Sequence, residues 1–148
     1  MKNLQALLRE KNVPFELIKH DTPIRTAEEG ARHFGINVGQ TAPTLIIKTD
    51  KGFFALILSG DRGRIDFSEL ASLIGCNKVK LAGAKEVEKV TGCEVGSVSM
   101  VGHDLPCIID TRLFQYPFIY GGSGKATYTL KVKPRDLEKL NNIIATLG

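Results

Sequence analysis

The chain has no tryptophan, and only 7% of its residues are aromatic. Nowhere do aromatic and basic residues interleave, so no base-stacking platform for single-stranded nucleic acid is evident. Its three cysteines, Cys76, Cys93 and Cys107, are well separated, odd in number and without a Cys-x-x-Cys spacing. That makes a poor disulfide framework, and reduced thiols in the cytoplasm are the simplest reading. His20, His33 and His103 match no zinc spacing and have no cysteine pair beside them, so no metal is expected. No apolar run approaches the roughly 18 residues of a membrane span. No apolar core of a secretory leader follows Met1-Lys2-Asn3-Leu4-Gln5, so neither membrane nor export is expected. The glycine-rich stretches lack the Gly-Lys-Ser/Thr ending of a phosphate loop. No Gly-x-Gly-x-x-Gly opens a helix after a first strand, and there is no Gly-x-Ser-x-Gly elbow. No cofactor is expected.

What is present is ordinary for a globular protein: 43% hydrophobic and 24% charged residues. A length of 148 residues fits one domain over 1–148. A chain of that size buries about 70% of its unfolded surface, enough for a real core. The net charge of +4 permits a nucleic-acid partner without demanding one.

Leu4, Leu7 and Leu8 recur at helical spacing and predict a helix over 3–11, with Pro14 just beyond. Residues 15–20 alternate as a half-buried strand, and Asp21-Thr22-Pro23 is a turn. Thr26-Ala27-Glu28-Glu29 has capping-box spacing and opens a helix over 27–34, which Gly35 closes. Strands over 43–48 and 53–58 flank a hairpin turn at Thr49-Asp50-Lys51-Gly52. Asp66 starts a helix that ends near Gly75; 78–81 is a short strand; 84–90 is a helix stopped by Gly92. Strands over 107–110, 117–120 and 127–133 follow, and Pro134 opens a last helix. Hairpins mixed with helices predict an α+β domain with a mixed, mostly antiparallel sheet rather than a doubly wound fold.

Lys48 ends the apolar run Thr44-Leu45-Ile46-Ile47. A lysine there either snorkels to water or meets an anion. Gly96-Ser97-Val98-Ser99-Met100-Val101-Gly102 and Gly121-Gly122-Ser123-Gly124 can expose backbone N–H groups to a carbonyl or phosphate oxygen, or can be plain turns. His20-Asp21 fits an acid–base pair or a turn cap. Cys107 reads as core and Cys93 as an exposed loop residue. Phe34, Ile46 and Met100 are expected to set the volume of any pocket.

Taken in order, His20-Asp21-Thr22-Pro23, Thr26-Ala27-Glu28-Glu29, Thr44-Leu45-Ile46-Ile47-Lys48 and Leu81-Ala82 form a set. Thr91-Gly92-Cys93-Glu94-Val95-Gly96-Ser97-Val98-Ser99, Gly121-Gly122-Ser123-Gly124 and Leu130-Lys131-Val132-Lys133-Pro134-Arg135-Asp136-Leu137 continue it. The set resembles the YbaK/EbsC family, free-standing relatives of the prolyl-tRNA synthetase editing domain, over nearly the whole chain. The resemblance implies a single domain on a curved mixed sheet. It also implies a deacylase that removes a wrong amino acid, alanine or cysteine, from tRNA for proline. The family's strand-end lysine falls on Lys48, which would hold the phosphate or terminal adenosine of the tRNA. The stretch from Gly96 to Gly102 would turn backbone amides toward the ester carbonyl, with Ser97 and Ser99 beside the substrate. Gly121, Gly122, Ser123 and Gly124 would line the same pocket, Thr26 would sit at its rim, and Thr127 would stand near the substrate. The acceptor end of an aminoacyl-tRNA is the implied partner, and a prolyl-tRNA synthetase a further candidate.

The chain departs from the family at Met100, where proline is common. It departs again at Tyr120 and Thr127, where the cysteine-specific members carry serine and aspartate. These departures argue against carrying over cysteinyl-tRNA specificity. They also motivate a second reading, a module of the same fold that binds an aminoacyl end or nucleotide without hydrolysis.

Overall fold

The computed structural model describes residues 2–148. The chain runs α1 (Lys2–Glu10), β1 (Phe15–Lys19), α2 (Ala27–Phe34), β2 (Thr41–Ala42), β3 (Thr44–Thr49), β4 (Gly52–Ile57) and α3 (Phe67–Ile74). It continues with β5 (Val79–Leu81), α4 (Ala84–Thr91), β6 (Pro106–Asp110), β7 (Ile119–Gly122), β8 (Tyr128–Val132), α5 (Leu137–Leu140) and β9 (Asn142–Leu147).

Local chemistry sets the helix ends. Thr26 caps α2 by accepting from Glu29 N–H at 3.1 Å, while the Glu29 carboxylate accepts from Arg25 N–H at 3.2 Å. Asp66 caps α3 through Ser68 and Glu69 N–H. Gly35, Gly75 and Gly92 close α2, α3 and α4 in the left-handed region.

Hydrogen bonding divides the strands into two mixed sheets, ordered β1-β8-β7-β2 and β5-β3-β4-β6-β9. Four of the pairings are antiparallel (β1–β8, β3–β4, β3–β5, β7–β8); β2–β7, β4–β6 and β6–β9 are parallel. The chain crosses from one sheet to the other at Pro43, which separates β2 from β3. Proline has no N–H to give a ladder, so it suits a joint. Its carbonyl still accepts from Leu58 N–H at 3.0 Å. The sequence pattern predicts no element for β2, for the 3-10 turns Val38–Gln40 and Thr111–Gln115 or for the strand at 142–147, and it predicts a helix from Pro134. Pro134–Asp136 is a 3-10 turn leading into only one turn of α5, and 142–147 is a strand.

Alternation along β3 and β4 sends residues into two cores. Ile46, Ala55 and Ile57 join Leu4, Leu8, Met100, Ile109, Leu130 and Val132 between the sheets. Ile47, Phe54 and Leu56 join Leu70 and Ile108 beneath α3. A sheet buried on both faces explains why these strands read as continuous apolar runs. Cys107 is core, as expected, and burial pushes its thiol up to about 12. Among the described residues no helix is long and apolar enough to cross a membrane.

Candidate functional site

A cavity of about 290 Å³ opens where the two sheets part. Its walls are Thr26, Ala27, Gly30 and Phe34 from α2, residues 41–46 around Pro43, the segment 95–98, Tyr120–Gly122 of β7, and Tyr128–Thr129 of β8. Leu81, Ala82 and Val87 close the side toward α4. The lining is largely apolar. Its two charged members, Arg25 and Lys125, are cations, and both also line a shallower adjoining groove with Ser97, Gly124 and Thr127.

Five of the residues expected in the site line the cavity: Thr26, Gly96, Ser97, Gly121 and Gly122. Gly124 and Thr127 line the groove beside it. Lys48 does not line the cavity. Its ammonium lies 2.7 Å from a Glu86 carboxylate oxygen, so it meets an anion of the protein itself. Gly102 turns at φ 82 against Leu7 of α1, away from the cavity walls. Ser99 accepts from Val101 N–H at 3.3 Å. Ser123 donates to the carbonyl of Tyr128 at 2.7 Å and so pins the β7–β8 turn.

The second glycine stretch is not an open anion cradle. Gly121 and Gly122 are strand residues, and the segment 97–100 packs onto them. Met100 N–H donates to Gly122 O at 3.1 Å, and Gly124 N–H to Ser97 O at 2.9 Å. A Cβ at Gly122 would collide with the Val98 carbonyl, and one at Gly121 with the Met100 thioether. These glycines permit close backbone approach. Met100 is fully buried beneath this wall, whereas Phe34 and Ile46 line the cavity directly.

The first glycine stretch does offer donors. Ser97 N–H is taken by Glu94 O at 3.0 Å. The N–H groups of Gly96 and Val98 meet no protein acceptor among the described residues. Gly96 holds φ 91, and a Cβ there would stand 2.9 Å from Arg25 O. Only glycine lets the loop pass this close to the start of α2.

Other groups of the wall lay beyond sequence reasoning. Thr44 is 8% exposed and its hydroxyl meets no partner among the described residues. His20 caps its turn, as one of the two readings had it, with Nδ1 2.8 Å from Thr22 O. Its Nε2 lies 2.9 Å from the hydroxyl of the cavity residue Thr129. Phe34 packs against Tyr120 with ring centroids 4.9 Å apart. Cys93, read as exposed, is half-buried, with its N–H bound to Thr91 Oγ1 at 3.0 Å. Among the described residues no Asp, Glu or His lines the cavity.

A family model describing the aminoacyl-tRNA editing domain matches residues 21–140. The chain is 30% identical over 129 residues to a proline–tRNA ligase of Caldicellulosiruptor bescii, covering 86% of this chain and 22% of the ligase. It is 36% identical over 123 residues to that of Desulforamulus reducens, covering 81% of this chain and 21% of the ligase. The chain thus spans about a fifth of the length of the curated relatives it matches. Among solved structures, a hypothetical protein superposes with TM-score 0.88 at 27% identity, covering 97% of this chain and 96% of that one. A candidate trans-editing enzyme for prolyl-tRNA synthetase superposes with TM-score 0.86 at 27% identity, over 97% of this chain and 92% of that one.

Proposed function

Because the chain belongs to the aminoacyl-tRNA editing domain family, we propose that it is an aminoacyl-tRNA deacylase that clears mischarged tRNA in trans. Alanine or cysteine on tRNA for proline is the proposed substrate, and a prolyl-tRNA synthetase the proposed companion. The cytoplasm, where tRNA is charged, is the compartment this reading implies.

One observation carries the reading. A largely apolar cavity is lined by Gly96 and Val98, whose backbone N–H groups meet no protein acceptor among the described residues, while its charged lining residues are both cations. The N–H pair suits the oxygen of an ester carbonyl as it becomes an oxyanion under attack by water. Arg25 and Lys125 suit the phosphates of the terminal nucleotides. An aminoacyl ester is already activated, so positioning and oxyanion stabilisation carry most of the work. The vicinal hydroxyl of the terminal ribose relays the proton from the attacking water. The leaving ribose oxygen receives a proton as the carbon–oxygen bond breaks. Lys48 acts at one remove, by holding α4, whose Val87 closes the cavity.

The test is deacylation of tRNA for proline charged with alanine, cysteine or serine. Loss of one aminoacyl species above the buffer rate supports the reading and names the substrate. A wall without carboxylate or imidazole favours the second reading, a binding module without turnover. Tight tRNA binding with no hydrolysis across the panel would establish that instead.

A further inference from the structure

One hydroxyl in the cavity wall has its proton already committed. His20 is 5% exposed, and its Nδ1 stands 2.8 Å from the Thr22 carbonyl oxygen. A carbonyl only accepts, so Nδ1 carries a proton. In the neutral imidazole Nε2 is then an acceptor, and the Thr129 hydroxyl, 2.9 Å away, donates to it. Thr129 lines the cavity and is 7% exposed. With its proton turned back to His20, Thr129 Oγ1 has only lone pairs left for a ligand.

Among the described residues no carboxylate lines the cavity, so a bound ammonium group would find no anion there. What it would find is this oxygen, beside the Phe34 ring; the Tyr120 ring, packed on Phe34, already has the Lys131 ammonium 5.5 Å from its centroid. Thr129 also stands directly across the antiparallel ladder from Gly122. Opposed residues project to the same face, and the Cβ position of Gly122 points at the Val98 carbonyl. The hydroxyl and the Gly96–Val98 segment therefore share one face, a single cross-strand step apart. In an α-amino ester the ammonium and the carbonyl are separated by one carbon, a span of the same order.

We infer that Thr129, oriented by His20, is the acceptor for the α-ammonium of the aminoacyl group, so that the cavity selects amino esters over plain acyl esters. The inference rests on the deacylase reading above, and its test separates the two. The probes are two non-hydrolysable adenosines, one 3′-alanylamido and one 3′-propionylamido, which differ only in the amine. Titrated calorimetrically into the intact protein, the alanyl compound should bind about tenfold more tightly, the worth of one hydrogen bond to a charged group. Thr129→Val should remove that preference, and Thr129→Ser, which keeps the hydroxyl and controls for folding, should retain it. Equal binding of both compounds by the wild type overturns the inference alone, as does a preference that survives in Thr129→Val. Failure of both compounds to bind the wild type overturns the aminoacyl reading and the inference together.

Discussion

Lys48 Nζ lies 2.7 Å from Glu86 Oε2 and so ties the end of β3 to the first turn of α4. The other Glu86 oxygen accepts from Gly83 N–H at 3.1 Å. The hydrogen bond from Lys48, and after it the one from Gly83, hold the Glu86 carboxyl below the usual range. Both side chains are substantially exposed, at 43% and 36%, which makes such a pair weak. Lys48→Met should therefore leave deacylation within about threefold of wild type and lower Tm only slightly. Steady-state deacylation beside a thermal melt checks this. Abolished turnover in a folded Lys48→Met protein would return the lysine to the substrate.

Gly96 is expected to behave oppositely. At φ 91, with a Cβ position 2.9 Å from Arg25 O, alanine there forces the loop off the start of α2 and moves the Gly96 and Val98 N–H groups. Gly96→Ala should lower kcat by about 100-fold, the usual effect of a lost oxyanion donor. KM should change little. Single-turnover kinetics on mischarged tRNA distinguish the two, and a rise in KM with kcat unchanged would remove these amides from the oxyanion site.

How much of this was legible in the sequence follows from the range of each interaction. The caps at Thr26 and Asp66 and the glycines at 35, 75 and 92 act within a turn of their own helix, and the sequence pattern marks them. The β3–β4 hairpin is equally local. The sequence left open whether Lys48 meets water or an anion, because its partner Glu86 sits 38 residues away on another element. Gly121-Gly122-Ser123-Gly124 stayed open between a donor cradle and a plain turn, because its packing partner, the 97–100 segment, is fixed only by tertiary contact. The same holds for Thr129, which meets His20 across 109 residues. Pro43 carried no sequence signal as a joint, since a proline at a strand's first residue is compatible with an unbroken strand. The segment 142–147 gains its identity only from the parallel ladder with β6.

Arg25 and Lys125 stand at both the cavity and the adjoining groove. If they grip phosphates, Arg25→Ala and Lys125→Ala should each raise KM for mischarged tRNA and leave kcat nearly unchanged. Each should also reduce the slope of log affinity against log salt by about 0.7, the single-strand value per phosphate. Deacylation measured between low and moderate salt reads both effects. A wild-type salt slope in either variant would take that side chain off the nucleic acid.

Asp110 is buried at the end of β6, where Arg62 Nε donates to it at 2.7 Å, Ser59 N–H at 3.0 Å and Arg112 N–H at 2.9 Å. Burial by itself would raise its carboxyl. The hydrogen bonds from Arg62, Ser59 and Arg112 outweigh that and hold it below the ordinary value. Arg62 also donates to Gly148 O at 2.8 Å, so the pair fastens the end of β9 to the turn after β4. A folded-state value below the unfolded one means that the carboxylate stabilises fully above about pH 5. That contribution fades as the pH falls below about 4 and is gone once the folded value is passed. Asp110→Asn removes the charge and leaves Arg62 half-enclosed without its counterion, which should cost about 3 kcal/mol at pH 7. Urea unfolding at pH 7 and pH 3 measures both effects. The wild type's advantage over Asp110→Asn should be smaller at the lower pH, because the unfolded carboxylate binds its proton before the folded one does. An advantage unchanged between the two would mean that the pair contributes through packing rather than charge.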